Sequence, residues 1–158
     1  MRTIATVGVY QSSLNDFLDK LGRHGVAVVG DVRQRRGVRG REYAWANSLR
    51  LQASLRQARI EYRHWPELAP TTEMRQLQYA EDDRLNVGKR TRVELAAEYR
   101  RRYLNEVLDH VDLGAILQSL PDDAVSALLC VERDAAACHR SLIAARLQAR
   151  FGVPVINL

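Results

Sequence analysis

The chain has no apolar run long enough to span a bilayer, and its opening, "MRTIATVGVY", lacks the apolar stretch of an export signal. No membrane association is expected, and the cytoplasm is the default location. Cysteine is scarce. Cys130 and Cys138 are the only two, too few for a disulfide scaffold and in keeping with a reducing compartment. Lysine is nearly absent, with Lys20 and Lys89 standing alone. There is no internal repeat, no low-complexity tract and no linker rich in Pro, Gly or Ser. Residues 1–158 are therefore expected to form one domain, large enough for a real core.

Hydrophobic residues make up 46% of the chain, which argues against a disordered or fibrous class. The formal charge of +5 and pI of about 9.6 favour anionic partners. The basic residues are almost all arginine, whose planar fork grips phosphate or carboxylate through two hydrogen bonds. A GC-rich genome would produce the same bias, so charge alone does not make a nucleic-acid binder.

The apolar patterning alternates between strands and helices. "RTIATVGVY" is β-rich. Ser12 or Ser13 can cap a helix with Leu14, Phe17, Leu18 and Leu21 on one face, and Gly22 and Gly25 supply its stop. "VAVVGDVR" fits a strand buried on both faces. A polar loop over 33–42 carries five arginines. A helix is expected from about Tyr43 to Ala58, then a short strand around "IEYRHW" ended by Pro66. The segment from Pro66 to Gly88 suggests mostly loop with one short helix at most. "TRVE" at 91–94 has capping-box spacing and is expected to open a long helix with Val93, Ala97, Leu104, Val107, Leu108 and Val111 inward. "AVSALLCVE" and "VPVIN" complete a set of five strands, the last an edge strand or strand start because of its proline. The expected fold is a three-layer α/β sandwich with a mainly parallel, Rossmann-like sheet.

In such sheets ligands bind beyond the carboxyl ends of the strands. Those ends carry Tyr10, then Asp31 and Arg33, then Glu67, then Cys130 and Glu132. Asp134 is placed to cap the final long helix, which would put Cys138, His139 and Arg140 within its first two turns and favour a thiolate or a bound anion there. Four readings follow: metal site, redox pair, anion cradle, or a packed strand-to-helix turn. The metal reading is short of donors, since Cys130, Cys138 and His139 supply at most three and neighbours on a helix diverge by about a hundred degrees. No metal and no cofactor is expected. The redox reading lacks Cys-x-x-Cys spacing, and both cysteines can equally be small buried hydrophobes. His64 and Trp65 fit a seal over the core, His24 a helix end, and Arg100, Arg101 and Arg102 a solvated face.

The segments "TVGVYQSSLNDFLDKLGRHGV", "VGDVR", "IEYRHWPEL", "LLCVE" and "CHRSLIAARL", in this order from Thr3 to Asn157, resemble the family known as domain of unknown function DUF488. The resemblance implies a shared α/β fold and a shared set of positions: Asp31, Arg33, Glu67, Cys130, Glu132, Cys138, His139 and Arg140. The chain departs from that pattern at Val9-Tyr10-Gln11, at Leu68-Ala69-Pro70 where a glycine pair is usual, and at Ala135 where proline is common. A fainter likeness to rhodanese-type domains rests on an Asp-x-Arg strand end and a later strand ending in Cys.

These observations lead to three functional expectations. The first is an anion-binding site in which Arg33 and Arg140, with Asp31, Glu67 and Tyr10, converge on a nucleic acid or a phosphorylated small molecule. In that reading Arg35, Arg36, Arg39 and Arg41 contact nucleic acid. Its structural counterpart is a set of ion pairs, Arg33–Glu132 or Arg140–Asp31. The second is thiol or sulfur chemistry with Cys130 or Cys138 as nucleophile and His139 or Glu132 as proton carrier. The third is a non-catalytic module docking through the arginine loop.

Overall fold

The computed structural model describes residues 1–158. Its elements are β1 (Thr3–Val7), α1 (Leu14–Arg23), β2 (Val26–Asp31), α2 (Ser48–Gln57), β3 (Glu61–His64), α3 (Thr72–Arg84), α4 (Ala97–Glu106), α5 (Leu113–Ser119), β4 (Val125–Leu129), α6 (Arg140–Phe151) and β5 (Val155–Asn157). The five strands form one sheet in the order β3-β2-β4-β1-β5, and every pairing is parallel. Parallel strands need helical crossovers, and these cover both faces to give a three-layer sandwich. No helix is long and apolar enough to cross a membrane.

The strand order positions the site. From β1 and from β2 the chain moves toward the β3 edge, whereas from β4 it crosses β1 to reach β5. Neighbours β2 and β4 therefore send their connections in opposite directions, which opens a crevice between their carboxyl ends. Asp31 pairs in register with Leu129, so the residues that follow, Val32–Arg33 and Cys130–Glu132, emerge side by side at that crevice.

Local chemistry explains most of the elements. Ser13 caps α1 by accepting a hydrogen bond from the Asp16 amide at 3.1 Å, and Phe17 and Leu21 are fully buried. The chain leaves α1 through Gly25 at φ +61°, a left-handed turn suited to glycine. Gly30 lets the Trp65 ring lie directly on β2, where any Cβ would collide with it. Trp65 is buried and seals the core, as its position before Pro66 suggested.

Four expectations about helices are corrected. The helix predicted over 43–58 is broken. A 3-10 turn over Arg41–Ala46 precedes α2, and the Asn47 side chain between them accepts from the Val38 amide of the arginine loop at 2.7 Å. The segment from Pro66 to Gly88 holds a full helix, α3, capped by Thr71. Its buried stripe is Met74, Gln78 and Asp82, too polar to register as amphipathic. The helix predicted from Thr91 begins only at Ala97, because the Thr91 hydroxyl accepts the Gly88 amide and closes a turn instead. Val93 is consequently exposed, and Leu95, Tyr99 and Tyr103 take the inward positions. Finally, Asp134 does not cap the last helix. It precedes a 3-10 turn over Ala135–Ala137 without a side-chain capping bond, its carboxylate pairs with Arg133, and α6 starts at Arg140.

Candidate functional site

A cleft of about 420 Å³ lies over the carboxyl ends of β2 and β4. Its floor includes Arg33, Cys130, Glu132 and His139, and its walls come from the arginine loop, α3 and the stretch before α4. The arginine loop is held in place from several sides. Arg90 donates to the Arg39 carbonyl at 2.9 Å and stacks over Tyr10 and Tyr43 at 5.3 and 5.1 Å. The Ser48 amide donates to the Arg36 carbonyl, and Gln34 bonds both Thr72 and Arg75.

A buried ion pair joins the floor to Asp31 behind it. Arg33 Nε and Nη2 grip the two carboxylate oxygens of Asp31 at 2.8 and 2.7 Å, and Nη1 donates to the Ala46 carbonyl. Asp31 also accepts from the Tyr62 hydroxyl at 2.6 Å. Each nitrogen of this guanidinium thus donates to a protein acceptor, which ties the end of β2 to the turn before α2.

A second ion cluster was not legible from the sequence. The Arg92 side chain, 7% exposed, donates to Asp82 at 2.6 Å, to Glu132 at 2.7 Å and to the Ala137 carbonyl at 3.2 Å. Gln78 donates to Asp82 and accepts the Ala96 amide, which ties α3 to the start of α4. The expected pairings Arg33–Glu132 and Arg140–Asp31 are thus replaced by Asp31–Arg33 and Glu132–Arg92.

Glu132 accepts the Cys130 thiol at 3.3 Å on its other oxygen. Burial and the nearby Cys130 raise its carboxyl above the usual range, with Arg92 and Lys89 opposing them. Cys130 is pushed up to about 12 by its hydrogen bond with Cys138 and by burial. Burial disfavours the His139 imidazolium, but Cys130, the Val32 carbonyl and Glu132 outweigh it and raise its pKa.

Cys138 and His139 both precede α6, Cys138 in extended backbone at φ −141° and ψ 147°. They therefore do not diverge as helical neighbours would. The Cys138 sulfur lies 3.6 Å from His139 Nδ1, and the two sulfurs and the imidazole fall within 4.8 Å of one another. His139 Nε2 lies 2.8 Å from the Val32 carbonyl. A carbonyl only accepts, so Nε2 keeps its proton, and Nδ1, which faces the Cys138 sulfur, is the nitrogen that gains or loses one. The Tyr103 ring meets the imidazole edge-on at 5.3 Å, anchored by its hydroxyl to the Leu68 carbonyl at 2.6 Å.

Not every expected residue joins this site. Tyr10, Arg33, Arg35, Arg39, Cys130, Glu132 and His139 line the cleft, with Asp31 and Cys138 immediately behind. Glu67 is exposed on the turn after Trp65 and lies outside it, as do Arg36, which bonds Tyr62, and exposed Arg41. Arg140 is also apart. It is 1% exposed, its Nη2 donates to the Arg133 carbonyl, and Nε and Nη1 have no hydrogen-bond partner. Arg140 is thus not among the residues that line the cleft with Arg33. The walls instead bring in Arg75, Gln78, Tyr79, Lys89, Arg92 and Tyr99.

The family model described as domain of unknown function DUF488 matches residues 13–147. The chain belongs to the DUF488 family. The matched span runs from the cap of α1 to within α6, so it contains the β2 and β4 ends of this DUF488 protein and the whole Cys130–His139 cluster. Comparison with curated proteins and with solved structures finds no match.

Proposed function

We propose that the cleft binds a phosphate-bearing ligand with a planar group, a nucleotide or a short single-stranded stretch of nucleic acid. One observation carries this reading. Arg35, Arg39, Arg75 and Lys89 all face the cleft with no carboxylate partner, while its only acidic lining residue, Glu132, is already engaged by Arg92. Unpaired cations held together repel one another, and an anion relieves that repulsion. The loop bearing Arg35 and Arg39 is tied down by Arg90, Asn47 and Ser48, so little ordering cost remains for the ligand. The half-buried Tyr79 ring adds aromatic surface for a base. The cleft volume lies within the range of small-molecule sites.

The thiol-nucleophile reading is weaker on the same ground. Cys138 is 1% exposed, and Cys130 is held as a neutral thiol, which is a poor nucleophile near neutral pH. The test is calorimetric titration with a nucleoside triphosphate and with the corresponding nucleoside. The triphosphate should bind and the nucleoside should bind far more weakly. Combined replacement of Arg35, Arg39 and Lys89 by alanine should remove triphosphate binding without unfolding the protein. Equal binding of both probes, or triphosphate binding untouched by that variant, would refute the reading.

A further inference from the structure

The cluster at the floor of the cleft has a donor set that the phosphate reading does not use. Cys130, Cys138 and His139 come from two segments, the end of β4 and the two residues before α6, and all three are buried. Zinc takes sulfur at about 2.3 Å and imidazole nitrogen at about 2.0–2.1 Å in tetrahedral geometry, which sets sulfur and nitrogen about 3.6 Å apart. The Cys138 sulfur and His139 Nδ1 are 3.6 Å apart, and no pair among the three ligand atoms exceeds 4.8 Å.

The second observation concerns the imidazole. Metal-bound histidine characteristically gives its other ring N–H to a carboxylate or a backbone carbonyl, which fixes both tautomer and ring orientation. His139 makes that bond to the Val32 carbonyl at 2.8 Å, and the Tyr103 ring holds its edge. Nδ1 is thereby committed to the sulfurs before any ligand arrives.

We propose that Cys130, Cys138 and His139 form a three-ligand zinc site whose fourth position opens into the cleft beside Glu132. Both sulfurs bind as thiolates, so two protons leave to solvent for each zinc bound, and the two thiolates neutralise the ion's charge. The fourth position faces the cleft because Cys130 and His139 line it while Cys138 lies behind. Three protein ligands with one open position is the pattern of a site that takes water or substrate on the metal, not of a closed structural site. Glu132, with an oxygen 3.3 Å from the Cys130 sulfur, stands where it can orient whatever occupies that position. The site does not depend on the phosphate reading.

The test uses the full chain, stripped of metal and kept reduced with a phosphine, titrated with cobalt(II) and then with zinc. One equivalent of cobalt should produce a sulfur-to-metal charge-transfer band and the intense visible bands of tetrahedral cobalt, and zinc should erase both. Cys130→Ser, Cys138→Ser and His139→Asn should each weaken zinc by about a hundredfold or more. The variant lacking Arg35, Arg39 and Lys89 should keep full metal binding, which separates failure of this site from failure of the phosphate reading. Should a ligand variant fail to fold, wild-type protein still decides. In urea strong enough to unfold the metal-free chain, where both thiols become reactive, one equivalent of zinc should slow alkylation of both cysteines. Absence of the cobalt bands, metal binding indifferent to all three substitutions, or no protection of the thiols would overturn the proposal.

Discussion

Arg92 bridges Asp82 of α3 and Glu132 beyond β4, holding one carboxylate at 2.6 Å and the other at 2.7 Å. All three side chains are at most 7% exposed. Removing the guanidinium would strand two buried carboxylates. Arg92→Ala should therefore cost about 3–5 kcal/mol in urea unfolding, the range for breaking a buried ion pair. Adding Asp82→Asn and Glu132→Gln should recover much of that loss, because neutral amides need no counter-charge. A loss below about 1 kcal/mol, as for a surface pair, would mean that the cluster is solvated.

The Asp31–Arg33 pair has a different consequence. Every Arg33 side-chain nitrogen donates to Asp31 or the Ala46 carbonyl, so Arg33→Gln should destabilise the fold by about 3–5 kcal/mol. In protein kept folded by low temperature, phosphate affinity should change far less than in the variant lacking Arg35, Arg39 and Lys89. Intact stability with abolished binding would instead make Arg33 a ligand residue.

The cysteines bear on the alternative chemistry. Both are buried, and the Cys130 thiol is pushed up to about 12 by Cys138 and by burial. Alkylation near neutral pH should be slow at both positions in the metal-free folded protein and should accelerate together once urea unfolds it. A single fast cysteine in the folded state would reinstate a thiol nucleophile.

Alkaline pH should weaken the fold through Tyr99 and Tyr103, whose phenols burial raises well above the ordinary value. A raised folded-state pKa means stability that is intact below about 10 and lost as the pH climbs further. Phenolate absorbance should rise in two steps, the second coinciding with unfolding. Tyr103→Phe should cost about 0.5–1.5 kcal/mol at neutral pH for the lost bond to the Leu68 carbonyl, yet should flatten the alkaline decline. Simultaneous titration of all the tyrosines before unfolding would contradict this.

The parts of the fold that were legible in the sequence are those written in apolar residues. The runs at Val26–Asp31 and Val125–Leu129 are buried almost throughout, and Phe17, Leu18 and Leu21 of α1 pack on the core as their spacing implies. The wall of the cleft was not legible because its inward residues are polar. Gln78 and Asp82 face inward on α3 since Arg92 and the Ala96 amide need partners there. The spacing Met74, Gln78, Asp82 was the available signal, a helical stripe in which polar residues stand at core positions. Arg92 itself lies on irregular backbone and has no periodicity to betray it. Asp134 has the look of a helix cap, which in sequence alone implies a helix through Cys138 and His139. The 3-10 turn that intervenes is what allows both to point at Cys130.

The most direct test of the central claim is the salt dependence of binding to a fluorescent single-stranded oligonucleotide. Each phosphate neutralised contributes about 0.7 to the slope of log affinity against log salt. Affinity for the wild-type protein should fall steeply with salt. Replacing Arg35, Arg39, Arg75 and Lys89 together by alanine should weaken binding and flatten the slope by about 3. Identical slopes for the two proteins, or wild-type binding indifferent to salt, would contradict a phosphate-binding cleft.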